Sequence, residues 1–336
     1  MAMRITNSMM AANYARNLQR SYSRVNALQE QMTTNRRFAH ISDDPSAFLA
    51  GQRARYALTR VADYRRAIDT AKSRLTQAES DLMDLNEIAV SAYETVVDLA
   101  NDTKETGDRQ NVSEYIARLR DHTLMTLNSI FGDKYAMGAY NTSGTHASGE
   151  KIAPFTVDET TGNLLFNGID VAEPANFAKI EAAMGEVIKY DVGVSAEISV
   201  AVNGAAAAVF SVEKDSGGNV TKISNLYNTL DDLYEKLQDP DCTGKELSDE
   251  YVAPFQEAQK KTLALVAEIG GKQKRLDLLE SKYEQDAINY TQMKSDAEDA
   301  DEAELIMQFK MAETVYKAAL AVGNYVLQPT LMDFIN

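Results

Sequence analysis

Apolar residues recur every three or four positions at both ends of this chain and lose that rhythm in the middle. Near the start, Met10, Tyr14, Leu18, Ser21, Val25, Leu28 and Met32 fall on one stripe, with Arg16, Arg20, Arg24 and Gln29 opposite. That spacing predicts a helix over about residues 6–35. A polar break runs from Asn35 to Pro45. A residue before proline is pushed to extended backbone, and an aspartate there can accept hydrogen bonds from the first helical amides. Asp44 is therefore the expected N-cap of a second helix starting at Pro45, with proline suited to the first helical position. Leu75, Ala78, Leu82, Leu85, Ala89, Ala92, Val96 and Leu99 then keep a 3-4-3-4 spacing, which points to coiled-coil packing. After Asn101–Gly107, a third helix is expected with Val112, Ile116, Leu119 and Ile130 on its apolar side.

From about Gly132 to Asn219 glycine and asparagine become frequent and the texture turns to that of strands. Asn167-Gly168 and Asn203-Gly204 read as tight hairpins, and the run from Glu197 to Val202 alternates at period two. A short helix is expected near Phe177 to Met184. Helices return with a short one from about Lys222 to Leu237, and a long one is expected from near Pro254. Phe255, Ala258, Leu265, Ile269, Leu276, Leu279, Tyr283 and Tyr290 fit its seven-residue grid. A last helix is expected over about Ala300 to Leu327, with Ile306, Phe309, Tyr316, Leu320 and Leu327 as its stripe and Glu313 and Gly323 as departures.

The expected fold is α+β: a long antiparallel helical bundle or coiled coil built from both termini, with a small, mostly antiparallel β domain in the centre. The expected parts are an N-terminal axial helix (1–44), the N-terminal share of the bundle (45–132), the β domain (133–220), the C-terminal share of the bundle (221–298) and a C-terminal axial helix (299–336).

Charge changes the picture in two ways. The net charge is −16 over 336 residues, which argues against broad nucleic-acid binding and against an anionic membrane surface as partner. Its distribution is uneven. Residues 1–40 carry six arginines against Glu30 and so hold +5, whereas eight acids against Lys310 and Lys317 leave residues 296–336 at −6. Opposite charge on two amphipathic helices favours their meeting. No apolar run is long enough to span a membrane, and the start lacks a secretory h-region.

Candidate chemistry is sparse. His40, His122 and His146 share no metal-ligand spacing, and Cys242 is a single cysteine, so neither a zinc site nor a disulfide is expected. Asp43 and Asp44 form a carboxylate pair, but the cap role accounts for Asp44 without acid–base chemistry. The acidic run Asp296 to Glu304 lacks the spacing and central glycine of a calcium loop and reads as a solvated helix start. No phosphate loop and no nucleophile elbow occurs. No cofactor and no enzymatic activity are expected. Four Asn-x-Ser/Thr sequons, at Asn111, Asn141, Asn219 and Asn289, carry little weight.

Long stretches nevertheless have a familiar form. MRITNSMMAANYARNLQRSYSRVNALQEQMTTNRRF followed by ISDDPSAF resembles the N-terminus of the flagellin superfamily. The Asp43-Asp44-Pro45 turn is closer to its hook-associated branch than to filament flagellins, which usually carry small residues after the paired aspartates. IGGKQKRLDLLE resembles the family's long C-terminal helix, although Gly270-Gly271-Lys272 departs from the more usual Gly-Ala-Arg. SDAEDADEAELIMQFKMAETVYKAALAVGNYVLQPTLMDFIN resembles its terminal helix, and residues 135–168 resemble the entry into the β domain.

The resemblance implies a secreted, self-assembling structural subunit of the bacterial flagellum, an adaptor at the hook–filament junction exported by the flagellar secretion apparatus. It implies copies of itself, a neighbouring hook-associated protein and flagellin as partners, and an export chaperone on the C-terminal helix, with no nucleic acid and no membrane insertion. On this reading the assembly interface is Tyr14, Leu18, Val25, Leu28, Met32, Ile306, Phe309, Tyr316, Leu320, Leu327 and Phe334. Filament flagellin is the neighbouring alternative. A surface-exposed ligand-binding module over residues 135–220 is the alternative of a different class.

Overall fold

The computed structural model describes residues 7–100, 106–138, 142–144, 152–185, 188–193, 197–199, 204–240 and 242–326. Among the described residues the elements follow one another in this order: helix α1 (Asn7–Thr34), α2 (Pro45–Leu99), α3 (Thr106–Leu127), strands β1 (Ile130–Phe131), β2 (Lys134–Tyr135), β3 (Phe155–Val157), β4 (Leu164–Phe166) and β5 (Ile169–Asp170), a 3-10 turn (Pro174–Asn176), α4 (Phe177–Gly185), β6 (Lys189–Asp191), β7 (Glu197–Ser199), α5 (Gly204–Ala208), β8 (Val209–Lys214), β9 (Val220–Asn225), α6 (Leu226–Gln238), α7 (Gly244–Glu298) and α8 (Glu302–Val326). Long helices from both ends and small antiparallel sheets between them make this the α+β architecture expected. The chain divides into two compact units, one of residues 63–283 and one formed by the two ends, 1–62 with 284–336.

In the 63–283 unit the heptad grid becomes a core. Ile68, Leu75, Leu82, Ala89 and Val96, and the parallel series Ala71, Ala78, Leu85, Ala92 and Leu99, are all buried. On α7 the buried positions Phe255, Thr262, Ile269, Leu276 and Tyr283 keep the same repeat. The two helices run antiparallel, because rungs between them climb one as they descend the other. Tyr64 stacks on Tyr283 at 5.5 Å between ring centres. Lys72 bonds Asp277 and Glu280, each at 2.7 Å. Gln273 donates to Glu79 at 2.8 Å and Gln259 to the Ala89 carbonyl at 3.4 Å. Burying both apolar stripes against each other supplies the driving force that neither helix has alone.

Helix α3 packs on α6, and asparagines fasten the small sheets to them. Asn128, just past α3, both donates to and accepts from the Phe155 backbone, at 2.8 and 3.0 Å, as a neighbouring strand would. Asn225 caps α6 by accepting the Asn228 amide at 2.8 Å, and Asn228 in turn accepts the Leu164 amide at 3.0 Å. The sheets are hairpins: β1–β2, β3–β4–β5, β6–β7 and β8–β9, all antiparallel. Asn167 and Gly168, with φ of 51° and 79°, make the tight turn between β4 and β5 that their sequence signals.

Several sequence expectations are corrected. Ile130 opens β1 and is exposed instead of continuing α3. Residues 222–225 are the end of β9, and α6 starts only at Leu226. Gly204 opens α5, and a side chain there would strike the Met137 carbonyl and the Phe155 ring, while Asn203, its partner in the expected hairpin turn, lies outside the described residues. Helix α7 starts ten residues before Pro254, which lies inside it. The reason is a capping box: the Thr243 hydroxyl accepts the Glu246 amide and the Glu246 carboxylate accepts the Thr243 amide, both at 3.3 Å. The buried stripe Leu247, Tyr251, Phe255 and Ala258 then carries the helix through the proline.

Candidate assembly surface

The unit made by the chain ends contains most of the residues singled out from the sequence. Its frame is a corner between the helices. Asp44 accepts the Ala47 amide at 3.0 Å and the Ser46 hydroxyl at 2.8 Å, which fixes the start of α2 at Pro45. These bonds hold the Asp44 carboxyl below its ordinary range. Asp43 turns the other way and accepts the His40 amide at 2.9 Å and the Ala39 amide at 3.2 Å. Phe38 is buried and meets Phe48 edge-on at 6.0 Å.

The loop after α1 pairs with the loop before α8. Arg37 donates its amide to the Glu298 carbonyl at 2.8 Å, and Ala300 donates to the Asn35 carbonyl at 3.2 Å. Beneath this bridge the Glu298 side chain is buried and is gripped by the Arg55 guanidinium through both carboxylate oxygens. The bidentate grip holds Glu298 below the usual glutamate range. Gly51 makes room for it, because a Cβ there would overlap the carboxylate. At the head of α8, Asp301 accepts the amides of Ala303 and Glu304 at 2.9 and 3.2 Å.

Helices α1 and α8 then lie against each other. The side of α1 turned inward is Ala11, Tyr14, Leu18, Ser21, Val25 and Leu28. On α8 it is Leu305, Phe309, Ala312, Tyr316, Ala319 and Gly323. Tyr14 donates its hydroxyl to the Ala319 carbonyl at 3.0 Å, and Tyr22 packs on Tyr316 at 5.8 Å. Gly323 faces Tyr14 so closely that any side chain there would overlap the phenol.

The inward stripe of α8 differs in phase from the one expected. Phe309 and Tyr316 lie on it, whereas Ile306 and Leu320 are exposed. Gly323 is part of the stripe and not a departure from it. Met32 on α1 is exposed too, while Leu327 and Phe334 lie outside the described residues. Alanine and glycine are members of the stripe, whose spacing is 305-309-312-316-319-323. The opposite charges of the two ends do not become ion pairs: among the described residues none joins α1 to α8, and Glu313 pairs with Lys317 at 2.8 Å on its own helix.

What the pairing leaves uncovered is as informative as what it buries. Met307, Met311, Val315 and Val322 form a second apolar stripe beside the paired face of α8, with Met311 65% exposed, and Met311 and Val315 line an open groove with Ser21 and Arg24 of α1. A helix that is apolar on two sides finishes its burial only against a second partner. Among the described residues no group of histidine, cysteine and carboxylate side chains could hold a metal ion, and no helix is long and apolar enough to cross a membrane.

Paired terminal helices, a heptad bundle and a hairpin insertion are the arrangement that the likeness to the structural subunits of the flagellin superfamily implies. Residues 5–133 match the bacterial flagellin N-terminal helical region. More particularly, the resemblance is to flagellar hook-associated protein 3. The chain is 25% identical to that protein from Escherichia coli over 325 residues, which cover 94% of this chain and 95% of that one. It is 24% identical to the Salmonella typhimurium protein over the same shares. In fold it is similar to the flagellar junction protein FlgL from Legionella pneumophila, with a TM-score of 0.53 and 11% identity over 76% of this chain and all of that one. The sequence resemblance to the hook-associated branch of the flagellins is thereby borne out.

Proposed function

We propose that this chain is a self-assembling structural subunit of the bacterial flagellum that joins hook to filament. The observation that carries this is the chain-end unit: α1 and α8 close on each other by one face, and α8 keeps an apolar second face that is exposed among the described residues. A stripe of methionine and valine on a helix suits repeated packing against neighbouring helices. Likeness to hook-associated protein 3 along nearly the whole length supports the junction over the filament, as does the Asp43-Asp44-Pro45 turn. On this reading the partners are copies of the chain, a neighbouring hook-associated protein and flagellin. Before export, a chaperone covers the C-terminal helix, and the flagellar secretion apparatus carries the subunit out. The role is mechanical and not catalytic.

Immunogold labelling of isolated flagella tests this reading. Label confined to the boundary between hook and filament is expected. Label distributed along the filament would make the chain a filament subunit, and flagella without label would remove it from the organelle.

A further inference from the structure

The first turns of α2 carry an exposed face that the chain-end unit does not use. Leu49, Arg53, Tyr56 and Arg60 are spaced four, three and four residues apart and so share one side. Leu49 is 56% and Tyr56 68% exposed. The opposite side, with Gly51, Ala54 and Val61, is the buried one. The Arg60 guanidinium sits over the Tyr56 ring at 5.9 Å. In a chain of net charge −16, residues 45–62 hold three arginines and no acid. Arg55 is committed to Glu298, whereas Arg53 and Arg60 meet no carboxylate among the described residues. Tyrosine and arginine on one desolvatable face are the residue types that carry binding energy at protein interfaces.

The same unit carries the complement. Asp296, Asp299, Asp301, Glu302 and Glu304 are all exposed around the junction of α7 and α8. Asp296 lies two residues from Glu298, hence on the side of α7 turned away from α2. The basic face and the acidic corner therefore look outward in different directions from one unit.

We propose that the basic, aromatic face of α2 receives the acidic α7–α8 corner of a second copy of this chain. The proposal rests on the reading that the chain assembles with itself. Neither patch can pair with its own counterpart, because like charges would meet. A closed two-fold dimer through either patch is thus disfavoured. The contact joins two different surfaces, and such a contact adds copies one after another into a ring or an open row.

A charge swap in cells tests it. In a strain lacking the native gene, Arg53→Glu with Arg60→Glu in one allele should reduce junction-bound chain at least about tenfold. Asp296→Lys with Glu302→Lys in the other should do the same. Co-expression of the two should restore incorporation, since each altered face then finds an altered corner and each native face a native corner. Purified variants should keep wild-type helicity, as all four side chains are exposed. A second measurement does not depend on reversed charges. Tyr56→Cys in one copy and Glu302→Cys in another should be joined by a bismaleimide in isolated flagella, native Cys242 being buried.

Normal incorporation of either charge variant alone overturns the proposal. So does a failure of co-expression to rescue two folded variants, which would assign the face to a different protein. Wild-type chain present at the junction while these arms fail leaves the junction reading intact. Wild-type chain absent from flagella ends both.

Discussion

Glu298, Arg55 and Gly51 act as one device at the corner of the chain-end unit. The carboxylate is buried, and it is tolerated there because a guanidinium meets both its oxygens and a missing side chain gives it space. Gly51→Ala should push Glu298 off Arg55 and cost about 1–3 kcal/mol, read as a lower midpoint in thermal unfolding. An unchanged midpoint would mean that the pair contributes nothing. The pH dependence has a definite sign. The folded value of Glu298 lies below its ordinary 4.5, so the pair's contribution is complete above that value and disappears as pH falls through the lowered one. Asp81 works in the opposite sense. Burial raises its pKa against the help of Ser129 and Gln77, so its protonation on acidification favours the fold. Glu298→Gln should flatten the loss of stability below pH 4.5, and an unaltered acid limb in that variant would contradict the assignment. The Asp44 cap was legible in the sequence because the aspartate–proline pair encodes it locally. Glu298 was not. It sits in an acidic run that reads as solvated, and its partners are some 240 residues away.

At the scale of the element, the seven-residue grid of α2 and α7 was plain in the sequence because nearly every core position on it is apolar. Leu82→Ala, at a fully buried position on that grid, should cost about 2–5 kcal/mol in equilibrium denaturation. A loss below about 1 kcal/mol would show that the stripe is not a core. Element ends were harder to read. Pro254 signals a helix start, but the Thr243–Glu246 capping box and the stripe beginning at Leu247 move the start upstream. The proline then leaves the helix one donor short. Pro254→Ala should therefore stabilise the chain, by about 2 kcal/mol, and a destabilised variant would contradict an interior position. On α8 the stripe was misphased because large residues outweighed small ones. Ala312, Ala319 and Gly323 face α1 since close approach of two helices selects for small side chains, and periodicity weighted by bulk misses them.

At the scale of the molecule, the helix–hairpin–helix order follows from where the apolar rhythm stops and resumes, whereas the division into two compact units falls inside α2 and α7, where the rhythm runs on. The second face of α8 was not separable from the first by sequence, because both are apolar and only the position of α1 tells them apart. Removal of residues 1–35 or 300–336 should abolish incorporation into flagella while leaving the helical signal and cooperative unfolding of the 63–283 unit. Collapse of that unit in either truncation would mean that the chain ends belong to its core.

The most direct measurement is electron microscopy of flagella from cells that lack this chain and keep the other flagellar proteins. Bare hooks, with flagellin shed into the medium, are expected. Filaments of normal length growing from those hooks would contradict the account.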